Sequence, residues 1–266
     1  MKICIIGGGN MGLTYADGFI RSGLIAKNQL LIIETNANQQ QIIQNKGYFL
    51  QTEVDAKVDM YDVIIIAVKP QQCKPVLEHL SSFLKSKKYI LSIMAGITLN
   101  YLEKHLNNHL IFRAMPNLPA KNGLGMTVFT TNSNYTGEQL FVMHNLLNTT
   151  GKTLYVEDEE KIDAATAISG SGPAYVFYFM QSMIEKAMEF GFSKSEAELM
   201  VKQTFLGSVQ LYINSEFSCE EWIQKVSSKD GTTEAAFDYF NQNHLKEEIK
   251  TGIEKAFERA QALAQN

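Results

Sequence analysis

The sequence predicts an α/β domain built as a right-handed, doubly wound parallel sheet over residues 1–158, followed by an all-α domain over residues 159–266. Three observations carry this. Short apolar runs alternate with helix-length segments through the first part of the chain, the pattern of βαβ units. Val63-Ile64-Ile65-Ile66-Ala67-Val68 is the most hydrophobic run, closed by Lys69-Pro70, as expected of a strand covered on both faces. After Val156 the strand-like runs stop and helical periodicity continues to the end.

Taken in order, Ile3–Ile6 reads as a strand ending in glycines, and Asn10–Arg21 as the helix after it. Leu30–Ile33 repeats the strand signal and 37–46 the helical one. A helix over about 72–85 and strands at Tyr89–Ile93 and Leu110–Met115 extend the alternation. Glu157-Asp158-Glu159-Glu160 is an acidic patch suited to a helix start. Pro173 stands where a helix would begin. Gly191 and Ser193 read as the end of one helix and the N-cap of the next, with Glu196 completing a capping box. The stretch from Ala164 to Ile184 holds no charged residue. The interruption Ser169-Gly170-Ser171-Gly172-Pro173 leaves it well short of the roughly 20 apolar residues that cross a bilayer. A helix buried in protein is the expectation.

The 266 residues are enough for a substantial core in two domains. Lys and Arg total 24 against 28 Asp and Glu, a formal net charge of −4. Without a basic run there is no electrostatic footprint for nucleic acid or an anionic membrane. Cys4, Cys73 and Cys219 are scattered and form no CxxC, which suits a reducing, cytoplasmic setting. His105 and His109 share helical spacing, but two histidines do not make a metal site; no metal is expected.

Gly7-Gly8-Gly9-Asn10-Met11-Gly12 fits GxGxxG, directly after a strand and opening a helix. Gly7 permits the tight turn, Gly9 lets backbone approach a pyrophosphate, and Gly12 lets helix and strand pack closely; this is the Rossmann fingerprint. Glu34 lies 22 residues beyond Gly12, where an acid binds the adenosine ribose diol; a solvated surface glutamate is the competing reading. Asn10, Met11, Asn36, Ala67, Val68, Lys69, Pro70, Ala95 and Asn117 stand at the same kind of strand end and complete the candidate cofactor set. Ser227-Ser228-Lys229-Asp230-Gly231-Thr232-Thr233 is a polar helix entrance whose free N–H groups suit a carboxylate, although simple N-capping explains the composition equally well.

With these pieces together the chain resembles the pyrroline-5-carboxylate reductases over nearly its whole length. The resemblance rests on GGGNMG at 7–12, AVKP at 67–70, RAMPNLPA at 113–120, ISGSGPAYVF at 168–177 and GTTEA at 231–235. It implies a Rossmann domain followed by a helical dimerisation domain, with the uncharged 164–184 stretch as the helix buried in a homodimer. It also implies hydride transfer from NADPH or NADH to the imine of 1-pyrroline-5-carboxylate, giving L-proline. Backbone N–H groups around Ser228, Gly231 and Thr232 would hold the substrate carboxylate. The Thr233 hydroxyl would hydrogen-bond the ring nitrogen as the catalytic contact, with Glu216 near the pocket. Two departures stand out: Lys229-Asp230 replaces the family's Pro-Gly, and Leu118 a threonine.

A protonated imine is already electrophilic, so positioning suffices. The rivals are a reductase of the β-hydroxyacid dehydrogenase type, which needs a lysine acid not evident here, and a catalytically impaired, cofactor-binding regulatory protein. Glu34 and the absence of Lys or Arg over residues 34–41 lean toward NADH.

Overall fold

The computed structural model describes residues 1–106, 109–131 and 135–264. Two compact units emerge: Met1–Pro173 with Ala256–Asn266, and Ala174–Lys255.

The first unit is built on eight strands: β1 (Ile3–Ile6), β2 (Leu30–Ile33), β3 (Phe49–Gln51), β4 (Val63–Ile66), β5 (Tyr89–Ser92), β6 (Leu110–Met115), β7 (Gly125–Thr130) and β8 (Gly151–Tyr155). Their order is β3-β2-β1-β4-β5-β6-β7-β8. Every residue of β1, β2 and β4 is buried, because helices cover both faces of a parallel sheet. The helices are α1 (Asn10–Arg21), α2 (Ala37–Asn45), α3 (Cys73–Ser81), α4 (Leu99–His105), α5 (Gly137–Asn148) and α6 (Glu160–Ala165). Two apolar clusters form, one around Ile5, Tyr15, Phe19, Ile65 and Phe112, the other around Cys4, Ile64, Leu77 and Leu102.

One pair departs from the all-parallel expectation: β6 and β7 run antiparallel. Residues 116–124 join them, through a 3₁₀ turn, Leu118–Asn122, closed by Gly123 in the left-handed region (φ 74). That link is too short for the crossover a parallel pair needs, so the chain reverses. The strand expected to reach Val68 stops at Ile66, and the helix expected over 72–85 spans only Cys73–Ser81. Beyond α3, Asp59 Oδ1 accepts hydrogen bonds from the N–H groups of Lys85 and Ser86, at 3.0 and 3.2 Å, and diverts that backbone from the helix.

After α6 comes a π-helical turn, Thr166–Gly170, then α7 (Gly172–Glu189), α8 (Lys194–Ile213), α9 (Cys219–Val226), α10 (Thr232–Gln242) and α11 (Leu245–Ala264). Ser193 and Glu196 form the expected capping box on α8, and Gly191 takes φ 97. Val176, Phe177, Tyr178 and Phe179 of α7 are exposed in the single chain. Among the described residues no helix is long and apolar enough to cross a membrane.

Candidate active site

Strand order reverses at β1, which pairs with β2 on one side and β4 on the other. In an open α/β sheet the crevice beyond the carboxyl ends at such a point receives the ligand. A cavity of about 1010 Å³ lies there, lined by Gly7, Gly9, Glu34, Asn36, Ala67, Val68 and Lys69 of the expected set.

The three fingerprint glycines do different work. Gly7 has φ +101, and a Cβ on it would lie 2.7 Å from the Ala67 carbonyl. A Cβ on Gly12 would lie 2.0 Å from Gly7 O, so α1 could not sit so close to the loop. A Cβ on Gly9 would meet no protein atom within 4 Å: the space above Gly9 is open, as a backbone meant to receive a diphosphate requires. Asn10, Met11 and Gly12 are the first turn of α1. Gly9 is its N-cap, without a side-chain cap or an acidic residue in that turn. The positive end of the helix dipole and its orphan N–H groups are thus left for an anion. The residues present fit a dinucleotide.

Glu34 is not a freely solvated glutamate. Its Oε2 accepts from Gly8 N at 2.9 Å and its Oε1 from Asn36 N at 2.8 Å. A carboxylate has about four lone-pair sites, so two remain for hydroxyl donors. Asn36 caps α2, its Oδ1 accepting from Gln39 N at 3.1 Å. Asn117 donates from Nδ2 to Ser169 O at 3.0 Å and accepts at Oδ1 from Met126 N at 2.9 Å. Its side chain therefore ties the β6–β7 link to the π turn. Pro70 opens the 3₁₀ turn before α3, and Ala95 precedes Gly96, at φ 73.

Thr35, beside Glu34, also lines the cavity, as do Gln39, Glu53, Gln72, Pro75, Val76 and His79, which were not expected. They follow the carboxyl ends of β2 and β3 or lie just before and along α3, a placement evident only once the strand order is known. His79 is held by a 3.0 Å hydrogen bond between Nε2 and Val54 O.

The residues expected to hold the substrate are in the second unit. Gly231 is the N-cap of α10, with no side-chain cap. Its N–H donates to Ser228 O at 3.0 Å, and a Cβ on it would lie 2.4 Å from Ser228 Oγ. The donors that α10 presents outward therefore begin with Thr232 and Thr233. Asp230 takes φ 55, the left-handed region that a glycine enters freely and Asp tolerates. Its N–H donates to Glu234 Oε2 at 2.5 Å. The Lys229-Asp230 departure thus keeps a turn that a glycine would make. Glu216 lies exposed in the α8–α9 connection.

A charged cluster that the sequence reading missed joins β6 to α6. Arg113, 1% exposed, donates from Nη1 to Glu159 Oε1 at 2.8 Å and from Nη2 to Asp163 Oδ1 at 2.6 Å. Glu159 Oε1 also accepts from Leu99 N at 2.8 Å, at the start of α4. The acidic patch does more than start a helix. Burial pushes the thiols of Cys4 and Cys73 up, that of Cys73 to about 11, so neither is a thiolate nucleophile at neutral pH.

The sheet order, the glycine loop and the open N-terminus of α1 define a dinucleotide-binding α/β protein with a helical second unit. Over residues 159–263 the chain matches the family described as pyrroline-5-carboxylate reductase dimerisation. Over residues 2–96 it matches the family described as NADP oxidoreductase coenzyme F420-dependent. It is 34% identical to the pyrroline-5-carboxylate reductase of Pasteurella multocida, covering 98% of this chain and 97% of that one. With that of Pseudomonas aeruginosa it shares 34% identity, over 99% and 97%. The solved structure of a pyrroline-5-carboxylate reductase from Coxiella burnetii superimposes with a TM-score of 0.91 at 31% identity, covering 100% of this chain and 99% of that one. The Plasmodium falciparum pyrroline carboxylate reductase, solved with NADP bound, gives 0.89 at 27% identity, over 99% and 98%. The chain belongs to the pyrroline-5-carboxylate reductase family and is an NAD(P)H-dependent oxidoreductase.

Proposed function

We propose that the protein reduces the ring imine of 1-pyrroline-5-carboxylate to L-proline as a homodimer in the cytoplasm, and that it uses NADH at least as efficiently as NADPH. The first part rests on full-length family membership together with the open cradle at Gly9 and α1. Its three free cysteines suit a reducing compartment. The exposed apolar residues of α7 suit burial against a second copy.

The bound cofactor supplies hydride from C4 of its reduced nicotinamide to the imine carbon. This chain's residues bind and orient. Backbone N–H groups of α1's first turn hold the pyrophosphate, and those of Thr232 and Thr233, beside Ser228 and the Gly231 turn, hold the substrate carboxylate. The Thr233 hydroxyl, which engages no described residue, bonds the ring nitrogen, and Glu216 lies on the pocket's approach. The C=N π pair moves onto the already protonated nitrogen, so no strong protein acid is needed.

The preference for NADH rests on one observation: the Glu34 carboxylate is held at the cavity by two backbone N–H groups. A ribose diol can donate to it in charge-assisted bonds, whereas a dianionic 2′-phosphate beside it is repelled. The test is kcat/KM for both cofactors, with proline identified as product, in wild type and Glu34→Ser. The wild type should favour NADH or show no preference, and the variant should shift toward NADPH. A strong wild-type preference for NADPH overturns the role of Glu34; absence of proline overturns the reaction.

A further inference from the structure

We infer that Gln39 is a positioning residue for the dinucleotide, acting through the glycine loop. The inference rests on the proposed dinucleotide site and adds to it a residue outside the fingerprint. Gly8 is fastened at both its polar atoms from the β2–α2 side. Its N–H donates to Glu34 Oε2 at 2.9 Å, and its carbonyl accepts from Gln39 Nε2 at 2.6 Å. In a trans peptide the C=O and the N–H lie on opposite edges of one plane. Anchoring the Gly8 carbonyl toward α2 therefore aims the N–H of the same peptide unit, that of Gly9, the other way. Gly9 lines the cavity at the N-terminus of α1, so Gln39 sets the direction of a donor where a pyrophosphate would approach.

The latch is itself held. Gln39 N donates to Asn36 Oδ1 at 3.1 Å, and Asn36 N donates to Glu34 Oε1 at 2.8 Å. Gly8, Glu34, Asn36 and Gln39 thus close a circuit of hydrogen bonds. Ile43 backs it from α2: a Cβ on Gly8 would lie 2.4 Å from Ile43 Cδ1. Glu34 cannot swing out to admit a 2′-phosphate without releasing the N–H of Gly8. Ribose selectivity and glycine-loop geometry are coupled through this circuit, and Gln39 is the member that acts on the loop alone.

The test is equilibrium titration of the full-length protein with NADH and with NADPH, alongside steady-state kinetics. Gln39→Met keeps length and removes the donor. It should weaken both cofactors by the same factor, about 5- to 10-fold for one lost hydrogen bond, with kcat at saturating cofactor within about twofold of wild type. Gln39→Glu sets an ionised carboxylate against the Gly8 carbonyl at neutral pH. It should bind more weakly still and recover toward wild-type affinity as the pH falls and its protonated carboxyl donates to Gly8 O. A purely structural glutamine would give no such recovery. Unchanged affinities in Gln39→Met, or a pH-independent ratio of Gln39→Glu to wild type, overturn the inference alone. Failure of the wild type to bind either cofactor overturns the dinucleotide reading with it.

Discussion

Strands β1, β2 and β4 bury every residue within their own unit, whereas in α7 and α8 the large side chains Phe177, Tyr178 and Leu206 stand 60%, 71% and 57% exposed. The sheet finds its apolar partners inside one chain. The helical unit also carries large apolar side chains and leaves many of them uncovered. Burial of a patch that size removes a large unfavourable contact with water, so the two regions divide the labour: one folds around a cofactor crevice, and the other awaits a second copy. Four perturbations press on that contrast.

The largest effect is expected in α7. Phe177→Glu would set an unpaired charge into the proposed dimer face at a cost of about 3–5 kcal/mol, lowering dimer affinity more than a hundredfold. Light scattering across a dilution series checks it. A dimer of unchanged affinity would place Phe177 against solvent and dissolve the contrast.

Asp163→Ala probes the sheet unit's own charged cluster. Arg113 would keep only Glu159 in a buried setting, and a destabilisation of about 3 kcal/mol is expected, read from urea unfolding. A change below about 0.5 kcal/mol would show that the guanidinium is satisfied without Asp163.

The helix entrance in the second unit comes next. Thr233→Ala should lower kcat/KM by about 10- to 100-fold, the loss of one hydrogen bond to a charged group, while leaving cofactor affinity unaltered. Unchanged kinetics in the folded variant would remove Thr233 from the reaction.

The smallest effect concerns His109, at the amino end of β6. Burial, with Lys88 nearby, holds its pKa below the ordinary 6.5, and its Nδ1 accepts from Lys88 N at 3.2 Å, which requires the neutral ring. The unfolded chain then takes up a proton that the folded protein refuses. Stability from this site is present above pH 6.5 and falls as the pH drops below it. His109→Asn keeps an acceptor and does not titrate, so it should narrow the gap between unfolding midpoints at pH 8 and pH 5.5. An unaltered gap would assign the acid sensitivity elsewhere.

Much of the fold and part of the candidate site were legible in the sequence. Strands β1, β2 and β6 and helix α1 agree residue for residue with the sequence expectation, because short apolar runs flanked by glycine or polar breaks leave little freedom in their ends. The glycine fingerprint was legible for the same reason: tight turn, open approach and close packing are local demands of backbone on residue type. The end of α3 was not, since Asp59 reaches across the sequence to take the N–H groups of Lys85 and Ser86. Nor was the role of Glu159, which read as a helix-start acid, or that of Asp163; both pair with an arginine on β6. Cavity-lining residues such as Gln39 and His79 carry no motif.

By itself the sequence determined the alternation of β1, β2, β4, β5 and β6 with α1, α2 and α3, the glycine loop and the family, because periodicity, β-branching and glycine demands act over a few residues; β3, β7, β8, α4 and α5 it left unplaced. Only the tertiary structure decided that β7 turns back along β6, that Glu34 and Gln39 grip the same glycine from opposite atoms, and that Gly231 N–H is already engaged within its own turn. Those outcomes depend on which distant groups come within about 3 Å, and a hydrogen bond between residues far apart in the chain leaves no periodic trace in either.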